Sequence, residues 1–239
     1  MEKREITYNL LKAQREFLEI PHDYNIDVAC YQGGYGSGKT FCGSLLGILL
    51  CLKFAGIRGL VGAKTYTLVR DTTLKTYFEH LDNMGFIEGK DYEWSASLQQ
   101  LKFKNKSEIL FRHFDDPNSL KSLNLGFVEI EEMSDIPYDT FKMLLARMRQ
   151  KVKPTWENFT YRIFGHTNPE MERGWVYKTF DENAMPNFRL FIGPTTENIY
   201  LPVGFCYELK KLYDEAYYKI CVLGENGHYN SGLVVKDFT

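Results

Sequence analysis

Gly33-Gly34-Tyr35-Gly36-Ser37-Gly38-Lys39-Thr40 fits the phosphate-loop pattern G-x-x-x-x-G-K-[ST], and its flanks supply the setting that the pattern needs. The apolar Val28-Ala29-Cys30-Tyr31 precedes it as a strand, and the apolar run from Phe41 to Leu52 follows it as a helix. Glycines let the backbone turn its N–H groups onto phosphate oxygens at the helix N-terminus, where the helix dipole also favours negative charge. On this reading Lys39 reaches the β- and γ-phosphates, the Thr40 hydroxyl ligates Mg²⁺, and the stretch from Gly33 through Phe41 lines a nucleoside triphosphate.

The 239 residues carry 44% hydrophobic and 15% aromatic side chains, enough for one large domain with a sizeable core. No apolar run reaches bilayer-spanning length, and the charged Met1-Glu2-Lys3-Arg4-Glu5 leads into no signal-peptide core. A soluble protein with no membrane partner is therefore expected. Five cysteines without C-x-x-C spacing indicate reduced thiols in a cytosolic compartment, with Cys42 and Cys51 packed on the helix behind the loop. A formal charge of −2 offers nucleic acid no global attraction, so any such contact depends on local patches.

Outward from the loop, the pattern alternates between strand and helix. Leu10, Leu11, Phe17 and Leu18 fit a short amphipathic helix closed by Pro21. Residues 58–63 read as a strand and 68–84 as a helix ended by Gly85, which together begin an α/β pattern with a parallel sheet. Short strands at 92–94, 101–104 and 109–111, the last two joined by a turn at Asn105-Lys106-Ser107, predict an antiparallel edge. Residues 125–130 read as a central strand, 138–150 as a helix, 161–165 as a strand, 174–180 as a short helix, 188–192 as a last strand and 203–223 as a C-terminal helix.

Binding and hydrolysis make different demands: hydrolysis also needs an acid on Mg²⁺ and a group that orients or deprotonates water. Phe127-Val128-Glu129-Ile130-Glu131-Glu132 can supply both. At the C-terminal end of a buried strand Glu131 faces the phosphate crevice, and Glu132 is free to turn toward the γ-phosphate. Glu129 interrupts an otherwise apolar strand, so Glu129 and Glu131 form an alternative pair. Of the five histidines only His166 adjoins a motif, and it reads as a packing residue.

Taken in order, these residues resemble the ATPase domain of the large terminase subunit of tailed bacteriophages, the motor that packages DNA into proheads. The resemblance rests on Gln14 in a helix before the loop, the loop itself, the strand ending Glu131-Glu132-Met133, and Arg147-x-Arg149 at the next helix end. Thr167-Asn168-Pro169-Glu170 and Gly174-Trp175-Val176 complete it, so it covers nearly the whole chain.

The resemblance implies a P-loop NTPase of the RecA-like kind: a mainly parallel sheet flanked by helices, in one domain over residues 1–239. Residues 1–25 would form an adenine-side segment, 26–200 the core, and 201–239 a helix and linker toward a nuclease domain that the chain does not contain. ATP would be the substrate and Mg²⁺ the cofactor. Gln14 would read adenine, Glu131 hold Mg²⁺, Glu132 act as catalytic glutamate, and Thr167 and Asn168 couple γ-phosphate to movement. Implied partners are double-stranded DNA, the prohead portal protein, the small terminase subunit and further copies in a ring, a pentamer by resemblance. The setting would be the host cell cytoplasm, and nuclease activity is not expected.

Many terminases carry an arginine inside the loop, where this chain has Tyr35. A charge-neutralising cation must then come from elsewhere. Arg147 and Arg149 are preferred over Arg70, Arg112 and Lys121, from the same chain or a neighbour. Lys102, Lys104 and Lys106 alternate on one strand face and read as a solvated edge, while Arg147 to Lys153 forms a second basic cluster. Competing readings are a superfamily 2 helicase-like ATPase, a P-loop phosphotransferase and a nucleotide-gated assembly module.

Overall fold

A computed structural model describes residues 6–170 and 174–227; the charged start at 1–5 and the end of the expected linker, 228–239, lie outside the described residues. Eight strands form one sheet in the order β3-β4-β5-β2-β6-β7-β1-β8. They are β1 (Val28–Gly33), β2 (Arg58–Ala63), β3 (Tyr92–Ser95), β4 (Gln100–Phe103), β5 (Glu108–His113), β6 (Phe127–Glu131), β7 (Arg162–Thr167) and β8 (Phe188–Gly193). From β5 to β8 every neighbour is parallel, whereas β3, β4 and β5 pair antiparallel. Both the parallel core and the antiparallel edge expected from sequence are present.

The central strands β1, β6 and β7 are buried on both faces, so apolar residues stand at successive positions, as in Val28-Ala29-Cys30-Tyr31, Phe127-Val128 and Ile163-Phe164. One face, carrying Tyr31, Phe127 and Phe164, packs against α1 (Lys12–Leu18) and α2 (Lys39–Lys53) through Phe17, Leu45 and Leu46. On that side also lies a helical run from α3 (Tyr66–Leu68) through a π-helical stretch, Val69–Thr73, to α4 (Leu74–Asn83). The other face, carrying Cys30, Val128, Ile130 and Ile163, is covered by Phe141 and Leu144 of α5 (Tyr138–Leu145) and by Val176 of α6 (Trp175–Tyr177). Cys42 and Cys51 are buried on α2 as free thiols. No described helix is long and apolar enough to cross a membrane.

Three elements depart from the sequence reading. The helix expected over 138–150 stops at Leu145, because the chain beyond it pairs with the approach to β6: Leu125 N–H donates to Arg147 O (2.9 Å) and Gln150 N–H to Leu125 O (3.2 Å). The C-terminal helix expected over 203–223 is broken into α7 (Phe205–Leu212) and α8 (Glu215–Tyr218), followed by a π-helical turn at Lys219–Leu223. Asp214 causes the break by capping the second piece, its carboxylate accepting from Tyr217 N–H at 2.8 Å. The three lysines do not share one strand face either: β4 ends at Phe103, and Lys106 sits in the turn with φ +70.

Candidate active site

All strands from β5 to β8 point their C-terminal ends to one edge of the sheet, and the phosphate loop leaves β1 at that edge. Gly36 and Gly38 adopt φ values of +75 and +80, the left-handed region in which glycine carries no steric penalty. Gly38 thereby turns the chain into α2, whose first residues are Lys39 and Thr40.

Lys39 is 9% exposed and donates to Asn168 Oδ1 at 2.5 Å. Burial lowers its pKa despite the counter-pull of Glu132 and Glu131. The Thr40 hydroxyl donates to Glu131 Oε1 at 3.2 Å. Glu132 begins just past the end of β6 in a left-handed conformation, φ 45 and ψ 65, which turns its carboxylate toward β7. Its Oε2 lies 3.4 Å from both Thr167 Oγ1 and Asn168 N. Non-glycine residues held this way cost about 1–3 kcal/mol and concentrate at functional sites. Thr167, itself buried, also shares a 2.7 Å hydrogen bond with Ser134 Oγ.

Beneath this edge the charged groups continue into the core. The His166 ring reaches Glu129 Oε1 at 3.1 Å through Nε2 and Glu131 Oε1 at 3.3 Å through Nδ1. Tyr77 OH donates to Glu129 Oε2 and Thr73 Oγ1 to Glu131 Oε2, each at 2.6 Å. Burial alone would lower the His166 pKa, but Glu131 and Glu129 beside it raise it to about 10. Burial likewise pushes Glu131 up, yet His166, Thr73 and Lys39 outweigh it and hold the pKa below the usual carboxylate value. Burial keeps Glu129 above that value. His166 is therefore an ionic partner of two strand carboxylates, a role that its reading as a packing residue did not anticipate.

Two glycines of α2 make room for this cluster. A Cβ on Gly43 would lie 2.6 Å from His166 Cδ2, and one on Gly47 would lie 1.9 Å from Tyr77 OH. Gly47→Ala is expected to destabilise the fold by about 1–3 kcal/mol, read as a lower urea midpoint, because overpacking outweighs the roughly 1 kcal/mol of helix propensity that alanine adds. A higher midpoint would mean that Tyr77 swings clear of Glu129 without cost.

Other expected residues sit as follows. Gln14 lies behind the loop, its Oε1 accepting from Leu11 N–H (3.0 Å) and its Nε2 donating to Gly38 O (3.3 Å). Tyr35 is 39% exposed; its N–H donates to Cys221 O (2.7 Å), and its carbonyl accepts from Thr195 Oγ1 (2.8 Å). Gln32 Nε2 donates to Gly224 O at 2.9 Å, so residues 219–225 lie against the loop and not beyond a free linker. Gly34 permits this approach, since a Cβ there would meet Cys221 O and Val222 O at 2.6 Å.

Arg147 and Arg149 do not join the site of their own chain. Arg147 donates to Lys121 O and Arg149 to Asn124 Oδ1 (2.7 Å), beside the start of β6, whereas Glu131 ends it. A strand of this length puts about 13 Å between its ends. Arg70 pairs with Asp71, and Arg112 donates to Leu98 O and Gln99 O. Among the described residues no arginine forms an ion pair with Glu131 or Glu132.

The donor set suits Mg²⁺: Thr40 Oγ1 and Glu131 Oε1 are hard oxygens already within 3.2 Å of each other, and Glu131 is held toward its ionised form. No group of three or more His, Cys, Asp or Glu residues disposed around a metal occurs among the described residues. A Mg²⁺ ion in such a site takes one or two protein oxygens and completes its shell with phosphate and water.

A glycine loop opening a helix, its lysine and threonine, and carboxylates at the neighbouring strand end define the class, a P-loop NTPase fold. Residues 25–225 match the family described as phage terminase large subunit, and the chain belongs to that family. It is 29% identical over 217 residues to the PBSX phage terminase large subunit of Bacillus subtilis (strain 168), covering 82% of this chain and 48% of that protein. The chain thus spans about half the length of this curated relative. Among solved structures it is similar to the large terminase of a thermophilic bacteriophage in complex with ADP, with a TM-score of 0.76 at 16% identity, covering 90% of this chain and 53% of that one. It is also similar to the large terminase ATPase domain of Thermus phage P74-26, with a TM-score of 0.66 at 15% identity and coverage of 91% and 94%.

Proposed function

We propose that this chain hydrolyses ATP with Mg²⁺ and that the released energy drives double-stranded viral DNA into a prohead. The observation that carries this is the meeting of Lys39, Thr40, Glu131, Glu132 and Asn168 at one strand edge. When bound, Mg²⁺ would neutralise charge on the phosphates, with Thr40 and Glu131 as its protein oxygens. Lys39 binds the β- and γ-phosphates as a buried cation. Glu132 orients the attacking water and accepts its proton. An ammonium has three donors, so Lys39 can hold phosphate while Asn168 keeps one of them. Occupancy of the site is then felt at the end of β7 through Thr167 and Asn168.

Family membership supports the wider setting: duplex DNA, the portal protein, the small subunit and a ring of copies, assembled in the host cytoplasm. The ADP complex of a structural relative supports an adenine nucleotide as substrate. Arg147 and Arg149, remote from their own site, fit as cations offered to a neighbouring copy. Multiple-turnover phosphate release from Mg-ATP, measured with linear duplex DNA and with or without portal-bearing proheads, tests the reading. Stimulation by proheads is expected. Release that responds to DNA but ignores proheads would favour a helicase-like ATPase, and no release with both present would remove the enzyme reading.

A further inference from the structure

Glu129 and Glu131 stand on the face of β6 that α2 covers, and His166 lies beside them on β7, in register with Glu131. All three are buried. The ring touches both carboxylates, and the outer oxygen of each is held from the same helical run: Thr73 donates to Glu131, and Tyr77, four residues on, donates to Glu129. The contacts form a closed circuit from helix to Glu129, to His166, to Glu131 and back to the helix. Thr73 is the last residue of the π-helical stretch, a local irregularity that recurs at functional sites.

Packing alone does not call for this arrangement. Buried charges are often no better for stability than apolar residues of the same shape, and the flanking Val128 and Ile130 show what the strand uses where only packing matters. A carboxylate has about four acceptor directions. The Thr40 and Thr73 hydroxyls occupy two of those on Glu131, one on each oxygen, and the His166 ring stands 3.3 Å from Oε1 as its ionic neighbour, so the plane of the carboxylate is fixed. Glu129 grips the far nitrogen, so the ring cannot turn away.

We propose that His166 is a positioning residue for the nucleotide site: wedged between Glu129 and Glu131, it locks Glu131 in the orientation that faces Thr40. As the residue just ahead of Thr167 and Asn168, it also ties that orientation to the strand end that touches Lys39. This rests on the reading of Thr40 and Glu131 as the Mg²⁺ side of the site. Residues that hold a ligating side chain in place typically account for about 10- to 100-fold in metal affinity or activity.

The test uses His166→Gln and the double variant Glu129→Gln/His166→Gln, which leaves one buried carboxylate fewer without its partner and so protects folding. Thermal melting checks the fold, and a fluorescent ATP analogue is titrated without metal and then with increasing Mg²⁺. Both variants are expected to bind the analogue as the wild type does without metal, and to need about 10-fold more Mg²⁺ or beyond for half of the metal-dependent gain. If His166→Gln does not melt cooperatively, the double variant decides. Wild-type Mg²⁺ dependence in a folded variant would overturn the role of His166 and leave the site reading intact. Metal-free affinity lost to the same extent as the metal-dependent gain would make His166 a packing residue and overturn the role as well. A wild-type chain whose nucleotide binding ignores Mg²⁺ would overturn the site reading itself.

Discussion

Glu132→Gln leaves ATP binding close to the wild-type value and slows hydrolysis by about two to four orders of magnitude, the range that a positioned proton acceptor contributes. The amide keeps the shape of the carboxylate, and its carbonyl can still accept from Thr167 Oγ1 and Asn168 N, so the left-handed turn at residue 132 is undisturbed. What it loses is the capacity to take a proton from water. Binding by calorimetry and single-turnover phosphate release separate the two effects. Equal rates in mutant and wild type would move the catalytic role to another carboxylate, with Glu131 the nearest.

Lys39→Ala brings hydrolysis down to the uncatalysed background and weakens nucleotide affinity about 10- to 100-fold. The second figure follows from the roughly 1.5–3 kcal/mol carried by a hydrogen bond to a charged group. The ammonium is buried at the strand edge and is the lysine that contacts Asn168, so its removal takes away both the phosphate cation and the anchor for the end of β7. Calorimetry with ADP and a phosphate-release assay check it, with thermal melting to show that the chain stays folded. Wild-type turnover in this variant would remove the phosphate-loop assignment.

The parts of the fold that could be read in the sequence are those whose signal is local. The loop, the strand before it and the helix after it follow from glycine spacing and apolar runs, and β2, β6 and β8 from short apolar stretches between turns. One missed helix end was decided by a distant partner. Residues 147–150 leave the helical path because Leu125 takes their backbone groups, and nothing in their own sequence announces that. The helix expected over 203–223 breaks for a local reason, the cap at Asp214, and its first piece, α7, buries no residue.

The site shows the same division. Lys39, Thr40, Glu131 and Glu132 were legible as a motif, but the partners of Glu129 come from β7 and from the helical run beyond β2, brought together only by the sheet order. A clue was present: a glutamate inside an apolar strand demands a buried partner, and Gly43 and Gly47, one helical turn apart, mark where α2 stays thin enough to admit one. The contact of residues 219–225 with the loop had no such clue, since carbonyl acceptors leave no mark in a sequence.

The place of β1 between β7 and β8 has a consequence for synthesis. The strand that carries the phosphate loop is translated before its two hydrogen-bonding neighbours, residues 162–167 and 188–193, and the loop's outer contacts wait for residues 221 and 224. Pairings between segments so far apart form slowly, because chain closure must precede any gain from contact. The phosphate loop is thus translated ahead of the segments that complete it, and its final form waits until nearly all of the described residues are in place.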